Sequence, residues 1–281
     1  MTAVWARVNT FLLLLVLLVL GGILGVLAAR IEGGPLDPPG SPNSPTDSVL
    51  LPGTPITGPT TISTSGHYYF TRDINSGLAN PIIIAANNVT LDLNGFKLAG
   101  GDNVGSTGII VPAASPAWEN IVMRNGTVRD FHVGIDANSG ARVRIESVRV
   151  LSNIRGVMLG IESAISGCHV AYNSEHGVIT LAGISSVIVE NCRVGPNGNI
   201  GVQFGGANSL ITDSYIVGNA SGLDVQMLGS RNVVRDSYVG FVSLDGPRNV
   251  SMDNACVLGH GNNNVGNIIS PADHANITCP P

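Results

Sequence analysis

The chain has 281 residues and a formal net charge of −5; only 12% of its residues are charged, while 44% are apolar. One sizeable domain with a short appendage fits this length. The low charge and the lack of a basic cluster argue against a nucleic-acid binder. The 36 glycines and many asparagines predict frequent turns, and no stretch after residue 30 has the apolar period of a helix.

Residues 1–30 are assigned to a signal peptide or an N-terminal transmembrane anchor. The stretch FLLLLVLLVLGGILGVLAA, residues 11–29, contains no charge and lies between Arg7 and Arg30. Small residues near Ala29 fit a cleaved signal peptide. The length fits an uncleaved anchor better, because about 17–25 apolar residues span a bilayer. Both interpretations predict an extracytoplasmic protein, either membrane-anchored or secreted.

Residues 31–60 are predicted to form a linker. Pro, Gly, Ser and Thr dominate this segment, and such a composition cannot bury enough apolar surface to fold. A semi-extended stalk that holds a domain away from a membrane fits it, and so does a disordered leader. The folded domain is predicted to cover residues 61–281.

A short phrase recurs through this domain. Its copies NGTV, SVRV, GCHV, NCRV, DSYI, DSYV and NACV end at Val128, Val150, Val170, Val194, Ile216, Val239 and Val257, with steps of 22, 20, 24, 22, 23 and 18 residues. LNGFKL, ending at Leu98, is predicted to be an earlier copy, followed by a longer insertion. A parallel series of Gly-apolar pairs begins at Gly134, Gly156, Gly177, Gly201 and Gly222. Two series that keep one period indicate a solenoid.

The repeat predicts an all-β fold, a right-handed parallel β-helix. A coil of about 22 residues holds three short strands and three turns, given strand lengths of ~3–10 residues. Coils would stack at ~4.8 Å, so that each adds one strand to each of three parallel sheets. In SVIVENCRV, the side chains of Val187, Val189, Cys192 and Val194 are predicted to point inward around a bend at Asn191. A second bend series, Asn153, Asn173, Asn197 and Asn219, is predicted to form hydrogen bonds up the coil.

The segment NNVTLDLNGFKLAG, from Asn87 to Gly100, and the coils after it resemble the pectate-lyase-like superfamily of right-handed parallel β-helix proteins, in particular its secreted bacterial members without an assigned activity. TTISTSGHYYFTRDI, from Thr60 to Ile74, resembles their entry segment. The superfamily includes polysaccharide lyases, polygalacturonase-like hydrolases, uronate epimerases, phage tailspikes and adhesins. The resemblance therefore implies a protein that binds a polysaccharide or cell-surface glycan, and it leaves open whether the protein also cleaves that glycan as a lyase or hydrolase. The alternative is a non-catalytic structural or adhesive surface module, so whether the protein is an enzyme stays open.

Asp213 and Asp236 are the candidate catalytic carboxylates. They occupy the bend position on neighbouring coils, where strand spacing would place them ~5 Å apart. Two close carboxylates can raise one pKa, bind a cation or support retaining glycoside hydrolysis. In the alternative interpretation, aspartate replaces asparagine in a bend ladder, with Asn191 and Asn254 on either side.

One outward-facing row gives the remaining candidates. Up the coil it reads Thr127, Arg149, His169, Arg193, Tyr215 and Tyr238. The two arginines are candidate substrate-binding residues, because guanidinium groups hold carboxylates in a bidentate manner. The two tyrosines could stack on sugar rings, and His169 is a candidate general acid or base. The alternative is an ordinary solvated sheet face, since tyrosine is favoured in strands.

The four cysteines leave two alternatives. Cys168 and Cys192 share an inward site on adjacent coils, which fits either a disulfide or two buried thiols. Cys256 and Cys279 lie in the last predicted coil and the tail, where a disulfide could hold the tail over the coil end. No CxxC motif or Cys/His cluster predicts a zinc site, and neither a metal nor a cofactor is assigned. The membrane is a further partner through residues 11–29 if that segment is not cleaved.

Overall fold

The computed structural model describes residues 53–101, 104–254, 259–262 and 267–269, the stretch 259–262 by its backbone alone. These residues form 26 strands and no helix. All strand pairs are parallel and belong to one continuous network. The strands coil into about nine turns of a β-solenoid with coils of about 22 residues, which confirms the predicted all-β fold.

The strands line three faces. The first face contains β2 Thr60–Ile62, β5 Ile82–Ile84, β8 Thr107–Ile110, β11 Arg155–Ile161, β14 Val178–Thr180, β17 Val202–Phe204, β20 Val225–Met227, β23 Phe241–Leu244 and β25 Gly259–Asn262. The second contains β1 Thr54–Ile56, β3 Gly66–Phe70, β6 Val89–Asp92, β12 Ala164–Ser166, β15 Ile188–Glu190, β18 Leu210–Thr212, β21 Val233–Arg235, β24 Val250–Met252 and β26 Ile268–Ile269. The third contains β4 Ile74–Asn75, β7 Lys97–Ala99, β13 His169–Ala171, β16 Arg193–Val194, β19 Tyr215–Ile216 and β22 Tyr238–Val239. Two longer strands, β9 Glu119–Arg129 and β10 Val133–Leu151, run through the corners from one face to the next.

The repeated phrase forms an inward row of the third face. The paired members of this row are Leu98, Val128, Val150, Val170, Val194, Ile216 and Val239. Each is at most 1% exposed, because alternate strand residues point to opposite sides of a sheet. The earlier copy ending at Leu98 is thereby confirmed. Part of the predicted insertion is itself a coil strand, since β8 pairs with β5 and β10.

A buried asparagine ladder holds one corner together. Its members are Asn153, Asn173, Asn197 and Asn219, all nearly inaccessible to solvent. The Oδ1 atoms of Asn173, Asn197 and Asn219 each accept both the main-chain N–H and the side-chain amide of the preceding member, at 2.9–3.1 Å. The predicted hydrogen bonding up the coil is therefore confirmed, and it satisfies corner donors that would otherwise be buried without a partner.

The ladder ends on Asp224, and on this coil the predicted series of Gly-apolar pairs was wrong by two residues. The pairing of Val202 with Val225 places Asp224, not Gly222, in the glycine row. The Asp224 carboxylate accepts the Asn219 amide at 2.6 Å and the Phe241 main-chain N–H at 2.9 Å. Burial raises the pKa of this carboxyl group.

The bend row has left-handed backbone geometry. Asn191, Asp213, Asp236 and Asp253 have φ values of 48°, 50°, 51° and 56°, a region that asparagine and aspartate tolerate better than most residues. Asp253 therefore occupies the place in this row that was expected for Asn254. Asn254 is buried instead and accepts the Ser237 N–H at 3.2 Å.

Several predictions fall outside the described residues. They concern residues 1–30 with the apolar stretch 11–29, the phrase ending at Val257, and both Cys256 and Cys279. Strand β1 lies within residues 31–60, the predicted linker, and pairs with β3. The described residues contain no helix that could span a membrane.

Candidate functional site

The predicted outward row exists as one continuous line of side chains on the third face. Its register-paired members are Lys97, Thr127, Arg149, His169, Arg193, Tyr215 and Tyr238; we call this line the third-face row. Each member immediately precedes a buried residue of the inward row, so alternation turns its side chain outward. Lys97 was missed in the sequence, although LNGFKL places it before Leu98 just as NCRV places Arg193 before Val194.

The cations of this row recur on every second coil. Lys97, Arg149 and Arg193 alternate with the uncharged Thr127 and with His169. The arginine side chains are exposed and form no ion pair within the described ranges, while Lys97 Nζ lies 3.7 Å from Asp73 Oδ2. The row therefore presents regularly spaced positive charge along the coil axis.

His169 lies between the two arginines. Partial burial, followed by the charges of Arg193 and Arg149, lowers the pKa of this imidazole. The ring is therefore neutral at pH 7 and can accept a proton, as a general base must.

The two tyrosines follow the cations. The rings of Tyr215 and Tyr238 stack with centroids 4.7 Å apart and planes inclined by 15°. The Arg193 guanidinium carbon lies 5.4 Å from the Tyr215 ring centroid, in a cation–π contact. These contacts orient the three side chains before any ligand arrives, although Tyr215 is still 41% exposed.

An open groove of about 530 Å³ lies beside the tyrosines. It is lined by Asn191, Cys192, Arg193, Asp213, Ser214, Tyr215, Asp236, Ser237 and Tyr238. Asp213 Oδ2 accepts a hydrogen bond of 2.9 Å from the Thr212 hydroxyl, and Asp236 Oδ2 accepts one of 2.9 Å from Arg235. The structure thus brings both candidate carboxylates together with three of the predicted binding residues. His169 and Arg149 lie farther along the row and do not line the groove.

Only some of the residues that line the groove were predicted from the sequence. Ser214 and Ser237 were not singled out, because their signal is a hydrogen-bonding pattern: Cys192 N donates to Ser214 Oγ and Ser214 N to Ser237 Oγ, each at 3.2 Å. In the described ranges, no three His, Cys, Asp or Glu side chains are arranged to hold a metal ion.

A second groove, of about 400 Å³, lies at the edge of the second face. It is lined by Asn120, Val122, Arg142, Arg144 and Glu162. Arg142 is paired with both Glu119 and Glu162, so much of its charge is neutralised locally. This groove therefore contains one cation with a neutralising partner, Arg142, and one, Arg144, that forms no ion pair with the described residues.

Comparisons with known proteins concern this same coil. The family model described as right handed beta helix region matches residues 107–267. An alginate lyase from Paenibacillus sp. str. FPU-7 is structurally similar, with a TM-score of 0.39, 12% identity and coverage of 73% of this chain and 91% of that chain. The A-module of a mannuronan C-5 epimerase from Azotobacter vinelandii gives a TM-score of 0.37, 13% identity and coverage of 73% and 78%. No curated protein matches the sequence.

Proposed function

This chain belongs to the family of right-handed β-helix regions, and we propose that its third face binds an extended acidic polysaccharide outside the cytoplasm. The observation that carries the proposal is the alternation of cationic and uncharged side chains in the third-face row. The register pairs place Lys97, Arg149 and Arg193 two coils apart in succession.

The spacing of these cations fits a polyuronate. Two coil spacings of ~4.8 Å separate successive cations by about 9.6 Å. A pyranose ring in an extended 1,4-linked chain advances by about one coil spacing, so the carboxylates of alternate sugars recur at about the same interval as the cations. Guanidinium groups hold carboxylates with paired hydrogen bonds, which favours an acidic glycan over a neutral one.

The groove at Tyr215 and Tyr238 supplies a different surface. Tyr215 is still 41% exposed in this stack, and aromatic rings combine apolar area with a polar hydroxyl. A glycan lying along the row would pass from the cations onto this platform. The Asp213 and Asp236 carboxylates at its edge would repel a uronate there, so a sugar hydroxyl suits the groove better.

Two sets of side chains on this face have the chemistry to cleave the bound glycan. A lyase needs a base close to cations that neutralise a uronate carboxylate, and a neutral His169 between Arg149 and Arg193 would meet this need. Asp213 and Asp236 offer a hydrolase pair instead. A non-catalytic adhesive or structural module is the second candidate. The left-handed φ values of the two aspartates favour it, because their place in the bend row explains them without chemistry.

The test uses the full chain with polyuronates and neutral glycans, with and without Ca²⁺, and measures both binding and product formation. The Arg149→Ala/Arg193→Ala variant should lose polyuronate affinity at least tenfold, because charge-assisted hydrogen bonds are worth about 1.5–3 kcal/mol each. Added salt should weaken wild-type binding.

A matched control removes the same charge elsewhere. Arg144→Ala/Arg248→Asn takes two exposed cations from outside the third face, and asparagine suits the φ of 59° at residue 248. This control should bind like the wild type. Absence of polyuronate binding, or an equal loss in both variants, would contradict the proposal. Binding without product would leave the non-catalytic role.

A further inference from the structure

Cys168 and Cys192 are stacked directly above each other inside the coil. The pairs Ser166–Glu190 and His169–Arg193 lie in register on either side of them, and two residues separate the flanking positions on each coil. The cysteines are therefore register partners as well. Both are free and buried, with exposures of 2% and 3%.

The sulfurs occupy a ladder in which later coils use hydroxyl groups. Val148 N donates to Cys168 Sγ at 3.3 Å, as Cys192 N donates to Ser214 Oγ at 3.2 Å. A serine thus meets the need for an acceptor at this site. Two sulfurs on consecutive coils can also react with each other, and the ladder itself does not require this reactivity.

We propose that Cys168 and Cys192 form an intrachain disulfide that joins two adjacent coils beneath the third face. Register partners on neighbouring parallel strands have Cα atoms ~4.8 Å apart, within the range of about 4.4–6.8 Å that disulfides span. The bond therefore requires no change of register.

The chemistry is a thiol–disulfide exchange with an external disulfide as oxidant. The Cys192 thiolate attacks one sulfur of that disulfide, forms a mixed disulfide and releases the first thiol. Cys168 then attacks Cys192 Sγ, which forms the internal bond and releases the second thiol. The protons of both cysteines pass to the two released thiols, so the external disulfide is reduced as the pair is oxidised.

The surroundings of the two cysteines determine which of them attacks the external disulfide first. A hydrogen bond with Cys192, and then burial, raises the pKa of Cys168, while the same hydrogen bond lowers the pKa of Cys192. Because the thiolate is the attacking species, Cys192 is the first nucleophile. Cys192 also lines the open groove, which is the side from which an oxidant would approach.

The bond would fix part of the third-face row. Cys168 and Cys192 immediately precede His169 and Arg193, so a covalent link holds these two outward side chains on coils of constant spacing. This consequence does not depend on the ligand proposed for that face.

The experiment uses the full chain with Cys256→Ser/Cys279→Ser, which leaves only the internal pair. The reduced, unfolded protein is refolded with oxidised and reduced glutathione and digested with trypsin and a glutamate-specific protease. Peptides 163–175 and 191–193 should be recovered joined, about 2 Da below the sum of their masses, because two hydrogens leave when the bond forms. A dithiol reductant should lower the Tm of this protein.

A serine variant provides the matched control. Cys168→Ser/Cys192→Ser in the same background keeps both ladder acceptors, so it should fold with a Tm that the reductant does not change. Recovery of two separate, alkylatable peptides after refolding with oxidised glutathione would overturn the proposal. A Tm of the Cys256→Ser/Cys279→Ser protein that is insensitive to the reductant would overturn it as well.

Discussion

Removing one member of the asparagine ladder tests the main polar support of the coil. In Asn173→Ala, the main-chain N–H and the side-chain amide of Asn153 both lose their acceptor, now 3.0 Å away in each case. Asn197 Oδ1 keeps the main-chain N–H of residue 173, at 3.1 Å. Two buried donors are therefore orphaned, at about 1–3 kcal/mol each, and we expect a loss of about 2–6 kcal/mol.

Chemical denaturation measures the loss, and hydrogen exchange locates it. Because a solenoid is stabilised by contacts between neighbouring repeats, the faster exchange should be confined to the coils around residue 173. Asn199→Ala is the matched control: Asn199 is half-buried, its side chain forms no hydrogen bond within the described structure, and the change should stay within about 0.5 kcal/mol. Equal destabilisation by the two variants would refute the ladder as a source of stability.

Three further predictions address packing, ionisation and chemistry. Gly160→Ala should destabilise by about 1–3 kcal/mol in denaturant, the usual cost of overpacking, because its methyl group would overlap the Gly140 carbonyl, whereas Gly58→Ala, which meets open space, should be neutral. Because the pKa of Asp224 is raised in the folded state, its protonated form stabilises the fold below the unfolded pKa, and this stabilisation is lost as pH rises through the folded pKa. The Tm of Asp224→Asn relative to the Tm of the wild type should therefore rise through this pH window. A Tm difference that does not change with pH would contradict this reasoning. Any polyuronate turnover through His169 should persist below the ordinary imidazole range, and His169→Gln should abolish turnover but keep binding; an acid limb at or above that range would exclude this base.

The period could be predicted from the sequence because the inward row tolerates few residue types. Val150, Val170 and Val194 are fully or almost fully buried, and small β-branched side chains fit such a pleated, packed surface. The phrase therefore marks each coil wherever the inward residue is retained. The outward neighbours could be assigned from it by alternation alone, and the register pairs place them as expected.

The prediction of the glycine series failed on the coil where an aspartate occupies the glycine position. At Asp224 the carboxylate folds back onto Asn219 and also accepts a main-chain N–H from Phe241. A search for glycine therefore selects Gly222, two residues too early. Such a substitution depends on hydrogen bonds across coils, which a linear pattern does not contain. The stacking of Tyr215 on Tyr238 is likewise a contact across coils, and only their common row could be predicted.

The coil separates stability from surface chemistry, and this separation explains why the candidate site changes along the axis. Inward residues are held to a few types by packing, whereas outward residues are limited mainly by solubility and strand propensity. The third-face row uses this freedom: it alternates charge up to Arg193 and becomes aromatic from Tyr215 onward. The bend row becomes acidic on the same coils, at Asp213 and Asp236. Both rows therefore change at the same level of the coil, and under the proposed function a glycan lying along this face would meet the cations first and the groove second.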